Sequence, residues 1–184
     1  MQTEIIIAGF GGQGVLFAGL LLAEAAMNEG KYVTWIPSYG PEMRGGTANV
    51  TVVISDTAIG SPLVHHPQAV IALNTPSLEK YTPLLRSGGV LIYNESLLTG
   101  EFRPSRLDIQ AIPVPATRIA TELGQLKMAN MVAVGALVTA VDVLPLRALI
   151  EALPAQLGEE KQHYLAPNIA ALKAGAALLR ERVA

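Results

Sequence analysis

Short apolar runs separated by glycine and proline organise the first two thirds of the chain. Residues 4–8 (EIIIA) are isoleucine-rich and predict a fully buried strand. Glycines at 9, 11, 12 and 14 follow as a turn. Residues 15–28 then repeat at helical spacing, with Leu16, Gly19, Leu20, Ala23 and Met27 on one apolar stripe of the kind that faces a core. Gly30 stands where a helix stops well. Residues 32–36 predict a second strand, 37–46 a loop rich in glycine and proline, and 48–54 a β-branched strand with a hairpin turn at Ser55-Asp56.

Beyond a loop at 60–67, residues 69–73 form another buried run that ends at Asn74. Residues 76–85 predict a helix with Thr75 as N-cap and proline in the first turn. Strands are expected at 90–93 and 107–114, then helices over 116–123, 129–141 and 145–153. The last helix, 167–183, carries Ile169, Leu172, Ala176, Leu179 and Val183 on one face, with Lys173, Arg180 and Arg182 elsewhere. Alternating strands and helices with no internal repeat or linker predict a single α/β domain over 1–184. It is a three-layer, Rossmann-like fold with a doubly wound, mostly parallel sheet. The hairpin near residue 55 adds some antiparallel pairing.

Composition narrows the chemistry. Hydrophobic residues make up 51% of the chain and charged residues 15%, which excludes a disordered chain and predicts a charge-poor surface covered by another protein. The same surface allows self-pairing into a homodimer when the chain is made alone. A net charge of -2 with no basic block gives no footing for nucleic acid or a membrane surface. Residues 5–23 are free of charge, but glycine fills four of positions 9–14 and breaks any span. The run 128–141 is too short to cross, and the acidic Glu4 does not fit a signal peptide, so a cytoplasmic protein is expected. There are no cysteines, which excludes disulfides, thiolate zinc, a cysteine nucleophile and a cysteine-held iron–sulfur cluster in this chain. Adjacent His65-His66 and the distant His163 do not make a metal site, and Ser77 and Ser96 have no nucleophile context.

Two stretches carry candidate chemistry. Gly9-Phe10-Gly11-Gly12-Gln13-Gly14 fits G-x-G-x-x-G between a strand and a helix. Gly11, Gly12 and Gly14 shape the turn and Gln13 offers an amide at its rim. Such a turn presents free N–H groups to a phosphate or another anionic face of a cofactor. It equally serves a tight strand–helix crossing or a turn facing a partner subunit. The second strand ends Trp35-Ile36-Pro37-Ser38 without the acid that would hold a dinucleotide ribose, and no Gly-Lys-Ser/Thr makes a Walker motif. The second stretch, residues 37–46, holds Glu42 and Arg44. Arg44 can fork onto a phosphate or a carboxylate, with Glu42 orienting it, or the two form a solvated pair. Ser38 and Tyr39 stand at the strand end where open α/β sheets bind ligands, and Asn74 ends a later strand as a crevice residue or a turn asparagine.

The combination GFGGQG, PSYGPEMRGG followed by TAN, SP at Ser61-Pro62, ALN at 72–74, GG before Val90, and NMVAVGAL with Asn130 and Gly135 resembles the gamma subunit, or the equivalent fused domain, of the 2-oxoacid:ferredoxin oxidoreductases. The 2-oxoglutarate branch is the nearest, and pyruvate, branched-chain and indolepyruvate enzymes share the motifs. The resemblance implies a holoenzyme that oxidatively decarboxylates a 2-oxoacid with coenzyme A, yielding an acyl-CoA, carbon dioxide and two electrons for ferredoxin. It implies thiamine diphosphate in alpha and beta subunits, iron–sulfur clusters elsewhere, including a ferredoxin-like delta subunit, and no catalytic residue or resident cofactor in this chain. On that reading Gly11, Gly12, Gln13, Gly14, Ser38, Tyr39, Glu42, Arg44 and Asn74 face coenzyme A or the adjoining active site. The alternatives are a free-standing Rossmann-like nucleotide- or coenzyme A-binding protein and a regulatory nucleotide-binding module. Neighbouring genes for thiamine-binding alpha and beta chains would separate them.

Overall fold

The computed structural model describes residues 1–39, 46–98, 102 and 104–183. Its strands are β1 (Gln2–Phe10), β2 (Tyr32–Tyr39), β3 (Thr47–Ser55), β4 (Ala69–Ala72), β5 (Val90–Asn94) and β6 (Gln110–Val114). Its helices are α1 (Val15–Asn28), α2 (Thr75–Tyr81), α3 (Ala116–Glu122), α4 (Ala129–Val141), α5 (Leu146–Leu157) and α6 (Leu165–Val183). The strands make one sheet in the order β2-β3-β1-β4-β5-β6. β1, β4, β5 and β6 pair in parallel, and β3 runs antiparallel between β1 and β2. The mostly parallel α/β fold with some antiparallel pairing is therefore present.

Alternating side chains send the two faces of the sheet into different cores. Ile5, Ile7, Val50, Val52, Ile71 and Ile92 pack with α1, α3, α4, α5 and α6. Ile6, Ala8, Val70 and Leu91 pack on the other face with Leu78 and Tyr81 of α2. β1 leads through α1 toward β2, and β4 leads through α2 toward β5. The sheet thus changes direction between β1 and β4, the switch point at which open α/β sheets receive ligands. On the large-core side α4 meets α6 at backbone range. A Cβ on Gly135 would lie 2.0 Å from the Leu172 carbonyl oxygen, and one on Gly175 would lie 1.9 Å from that of Val132.

Several local expectations change. The stripe read as facing the core on α1 is partly its open side, with Leu20 42% and Met27 62% exposed. Apart from Glu24 the helix is uncharged, so its pattern carries no direction, and Ala18, Leu21, Leu22, Ala25 and Ala26 do the packing. Ser55-Asp56 is not a hairpin turn: β3 pairs antiparallel with β2, which precedes it in sequence, so the two strands of the hairpin are joined before β3 and not after it. β2 runs on through Pro37 and Ser38 because it is an edge strand, where a missing N–H is tolerated. The cap of α2 is Asn74, not Thr75; its Oδ1 accepts from the Ser77 amide at 2.9 Å. β6 starts at Gln110. Residues just before it are held instead by Arg106, which donates to the Asp108 carboxylate at 2.5 Å and to the Leu85 carbonyl. α5 extends to Leu157 and α6 begins at Leu165, with a 3₁₀ segment, Glu159–Tyr164, between them that the sequence pattern does not predict.

Asp56, just past β3, accepts from the Lys31 amine and from the Met1 amine at 2.6 Å. These cations hold its carboxyl at about 2, well below the usual carboxylate range. The depressed value means that the pair stabilises the fold above about pH 4. That contribution fades as pH falls through about 2. Both groups are exposed, so the effect is small and screened by salt. Asp56→Asn is expected to lower the melting temperature slightly at neutral pH and low salt. Melting curves across acid pH should show the gap closing below about pH 4. A gap that widened in acid would contradict this account.

Candidate functional site

The turn after β1 is built by hydrogen bonds that the sequence motif does not display. Gly12 and Gly14 sit at φ +97° and +72°, backbone that L side chains rarely adopt. Gln13 accepts from the Phe10 amide at 2.6 Å and donates to the Leu73 carbonyl at 3.2 Å. Its Oε1 also accepts from Asn74 Nδ2 at 3.3 Å. The Gln13 amide therefore clamps the β1–α1 turn to the β4–α2 turn across the switch point. Asn74 has a double duty, capping α2 and holding Gln13.

Two further asparagines complete the frame. Asn130, near the start of α4, donates to the Gly14 carbonyl at 3.0 Å and accepts from the Met131 amide at 2.9 Å. Asn94, closing β5, donates to Thr117 Oγ1 at 2.8 Å and accepts from the Thr117 amide at 3.3 Å. All three asparagines are buried. Each fixes a turn or a helix start at the same end of the sheet. Net hydrogen-bond contributions of about 1 kcal/mol each are enough to hold such turns in one arrangement.

Gly12 opens on three cavities. The first, about 380 Å³, lies before the start of α1 among Phe10, Val15, Phe17 and Ala48. No side chain caps this helix, so its first N–H groups lack intrahelical acceptors. The second, about 350 Å³, is the switch-point crevice between Gln13, Leu73, Asn94, Thr117 and Lys127. The third, about 200 Å³, lies between Phe17, Lys127, Asn130, Tyr164 and Asn168. Among the described residues no carboxylate lines any of the three, and Lys127 is the one charged residue that does. A Cβ on Gly12 would meet nothing within 4 Å, whereas one on Gly14 would stand 2.3 Å from Asn130 Nδ2. The two glycines thus serve different ends: Gly14 allows a packing contact, and Gly12 keeps its backbone bare toward open space.

The second motif stretch converges on the same place. The Gly11 amide donates to the Gly46 carbonyl at 2.9 Å, and Phe10 is registered against Thr47. The end of the PSYGPEMRGG loop is therefore bonded to the glycine turn. Tyr39 pairs with Ala48, one register step from this junction. Ser38 is exposed on β2 opposite Asn49 and lines none of the three cavities. Glu42 and Arg44 lie outside the described residues. Lys127, Asn94 and Thr117 were not singled out by sequence reasoning, and Asn130 was noted only as part of a motif. The signal that could have found Asn94 is repetition: an apolar strand ends in asparagine at Leu73-Asn74 and again at Tyr93-Asn94.

Among the described residues no helix is long and apolar enough to cross a membrane, and no group of histidine and carboxylate side chains could hold a metal ion.

Comparison with known proteins gives consistent relatives. The chain is 40% identical over 186 residues to the ketoisovalerate oxidoreductase subunit VorA of Methanothermobacter thermautotrophicus, covering 99% of this chain and 37% of that one. It thus spans little more than a third of that relative's length. It is 40% identical over 189 residues to the 2-oxoglutarate synthase subunit KorC of Methanothermobacter marburgensis, covering 98% of both chains. In three dimensions it matches a chain of 2-oxoglutarate:ferredoxin oxidoreductase from Magnetococcus marinus, solved with 2-oxoglutarate, coenzyme A and succinyl-CoA bound. The TM-score is 0.86 at 26% identity, covering 98% of this chain and 31% of that one. A family model described as pyruvate ferredoxin/flavodoxin oxidoreductase matches residues 4–178, and the chain belongs to that family.

Proposed function

We propose that this chain is the gamma subunit of a thiamine-diphosphate-dependent 2-oxoacid:ferredoxin oxidoreductase, with 2-oxoglutarate as the 2-oxoacid. The holoenzyme converts the 2-oxoacid and coenzyme A to an acyl-CoA and carbon dioxide and passes two electrons to ferredoxin. The observation that carries this reading is the Gly11–Gly46 hydrogen bond, 2.9 Å, which joins both family motifs at the switch-point end of the sheet. The end-to-end match in length to a 2-oxoglutarate synthase subunit supports the choice of 2-oxoacid.

The chain's own part is to bind and position. Gly12 presents bare backbone beside an uncapped helix start, with Gly11 and Gly14 lining the same cavity, which suits the phosphates of coenzyme A. Arg44 adds a charge-assisted contact, Glu42 orients it, and Ser38 and Tyr39 border the same loop. Gln13 and Asn74 act one step back, holding the turn. Without cysteine the chain has no ligand set for an iron–sulfur cluster, so electron transfer falls to other subunits. Alpha and beta subunits supply thiamine diphosphate, and a ferredoxin-like delta subunit carries clusters toward ferredoxin. Leu20 and Met27 of α1, with Tyr32 and Ile36 of β2, give these subunits an apolar surface to cover, or give the lone chain a face for self-pairing.

Affinity capture from the native host tests the assembly, and kinetics on the captured complex test the site. Alpha and beta chains are expected in equal amount, and Arg44→Ala should raise the KM for coenzyme A by about 10- to 150-fold without lowering the melting temperature of the subunit. Recovery of a lone monomer under gentle conditions, or a complex that turns over without coenzyme A, would remove the reading.

A further inference from the structure

We infer that Lys127 anchors a phosphate group of the coenzyme A bound at the glycine turn; this rests on the reading of that turn as a coenzyme A contact. Lys127 lines two of the three cavities that open at Gly12. No carboxylate lies within ion-pair distance of it among the described residues, whereas nearby Arg118 is paired with Glu122 at 3.2 Å. An ammonium with no carboxylate partner among the described residues, beside cavities that no described carboxylate lines, sets a local positive potential, and lysine serves phosphate as a point charge.

The segment that carries it is held firmly. Lys127 is the middle residue of a 3₁₀ turn, Leu126–Met128, whose Met128 amide donates to the Gln125 carbonyl at 2.8 Å. Gln125 in turn donates to the Ala120 carbonyl at 2.8 Å, and Met128 is buried. Three residues further on, Asn130 grips the Gly14 carbonyl at 3.0 Å. The Lys127 backbone and the glycine turn therefore belong to one frame, so only the lysine side chain must be ordered on binding. Lys127 belongs to the entry of α4, so it brings a charge to the site from a part of the chain remote from both family motifs.

Calorimetric titration of the assembled complex decides it, with coenzyme A and phosphate-free pantetheine as probes. Lys127→Ala should weaken coenzyme A binding by about 10- to 100-fold and flatten its salt dependence. Lys127→Arg, which keeps the charge, should bind within about three-fold of wild type. Pantetheine binding should be the same in all three proteins. If wild type binds coenzyme A and Lys127→Ala binds it equally well, Lys127 has no such role while the coenzyme A reading stands. Equal loss of pantetheine binding would make Lys127 structural and overturn the inference. An assembled wild-type complex whose coenzyme A affinity is unmoved by Gly12→Ala, Arg44→Ala and Lys127→Ala alike would take the site reading down with it.

Discussion

Gly175→Ala is expected to lower the melting temperature of the isolated chain by roughly 6–12 °C, and Gly135→Ala to do much the same. On an open helix the change would act the other way, since alanine is the better helix former by about 1 kcal/mol. Here the new methyl would stand 1.9 Å from the Val132 carbonyl oxygen for Gly175, or 2.0 Å from that of Leu172 for Gly135. Backbone cannot step aside as a flexible side chain can. α4 and α6 would have to separate, and both are central to the larger core. Overpacking of this kind costs about 3 kcal/mol at its upper end. Thermal melts of both variants check it, and a rise in melting temperature would show that the helices do not meet this closely.

Gly14→Ala and Gly12→Ala should then part company. The methyl on Gly14 would lie 2.3 Å from Asn130 Nδ2, so the asparagine must leave the Gly14 carbonyl that it now holds. Backbone strain and a lost buried hydrogen bond together cost about 2–3 kcal/mol, or roughly 5–10 °C. Gly12→Ala meets open space and carries only the strain of its positive φ, about 1–2 kcal/mol. Its larger effect is expected in the complex, as a loss of about ten-fold or more in coenzyme A-dependent turnover where a ligand approaches the bare backbone. Circular dichroism melts and steady-state kinetics on the same pair of variants separate the two. Equal melting temperatures, or full activity in Gly12→Ala, would cancel the distinction drawn between these glycines.

The parts of the fold that were legible in sequence are those where burial and period agree. Residues 4–8 and 69–73 read as buried strands because both their faces are covered, and 129–141 reads as a buried helix because it is apolar all round. The same property misled at α1. A helix with a single charge gives no direction, and of the stripe read as core-facing Gly19 and Ala23 are buried while Leu20 and Met27 are open. Pro37 hid the second half of β2, since proline argues against a strand unless the strand lies at an edge. The site was legible as two motifs but not as a frame. Gln13, Asn74, Asn94 and Asn130 act through contacts spanning up to 116 residues of chain, and spacing along a sequence cannot register those.

The position of β3 governs when the site can come into being. β1 and β2 are parallel strands with one strand's width between them, and that gap belongs to β3. While a ribosome has released only the segments up to Tyr39, the two strands have no hydrogen bonds to exchange. α1 then covers a sheet that does not yet exist. Emergence of Thr47–Ser55 fills the gap from both sides at once. The same event draws the Gly46 carbonyl onto the Gly11 amide. The Gly11–Gly46 junction therefore waits for β3, and the clamps on Gln13 and Gly14 from Leu73, Asn74 and Asn130 come later still along the chain, so a chain cut before β3 lacks every one of these contacts.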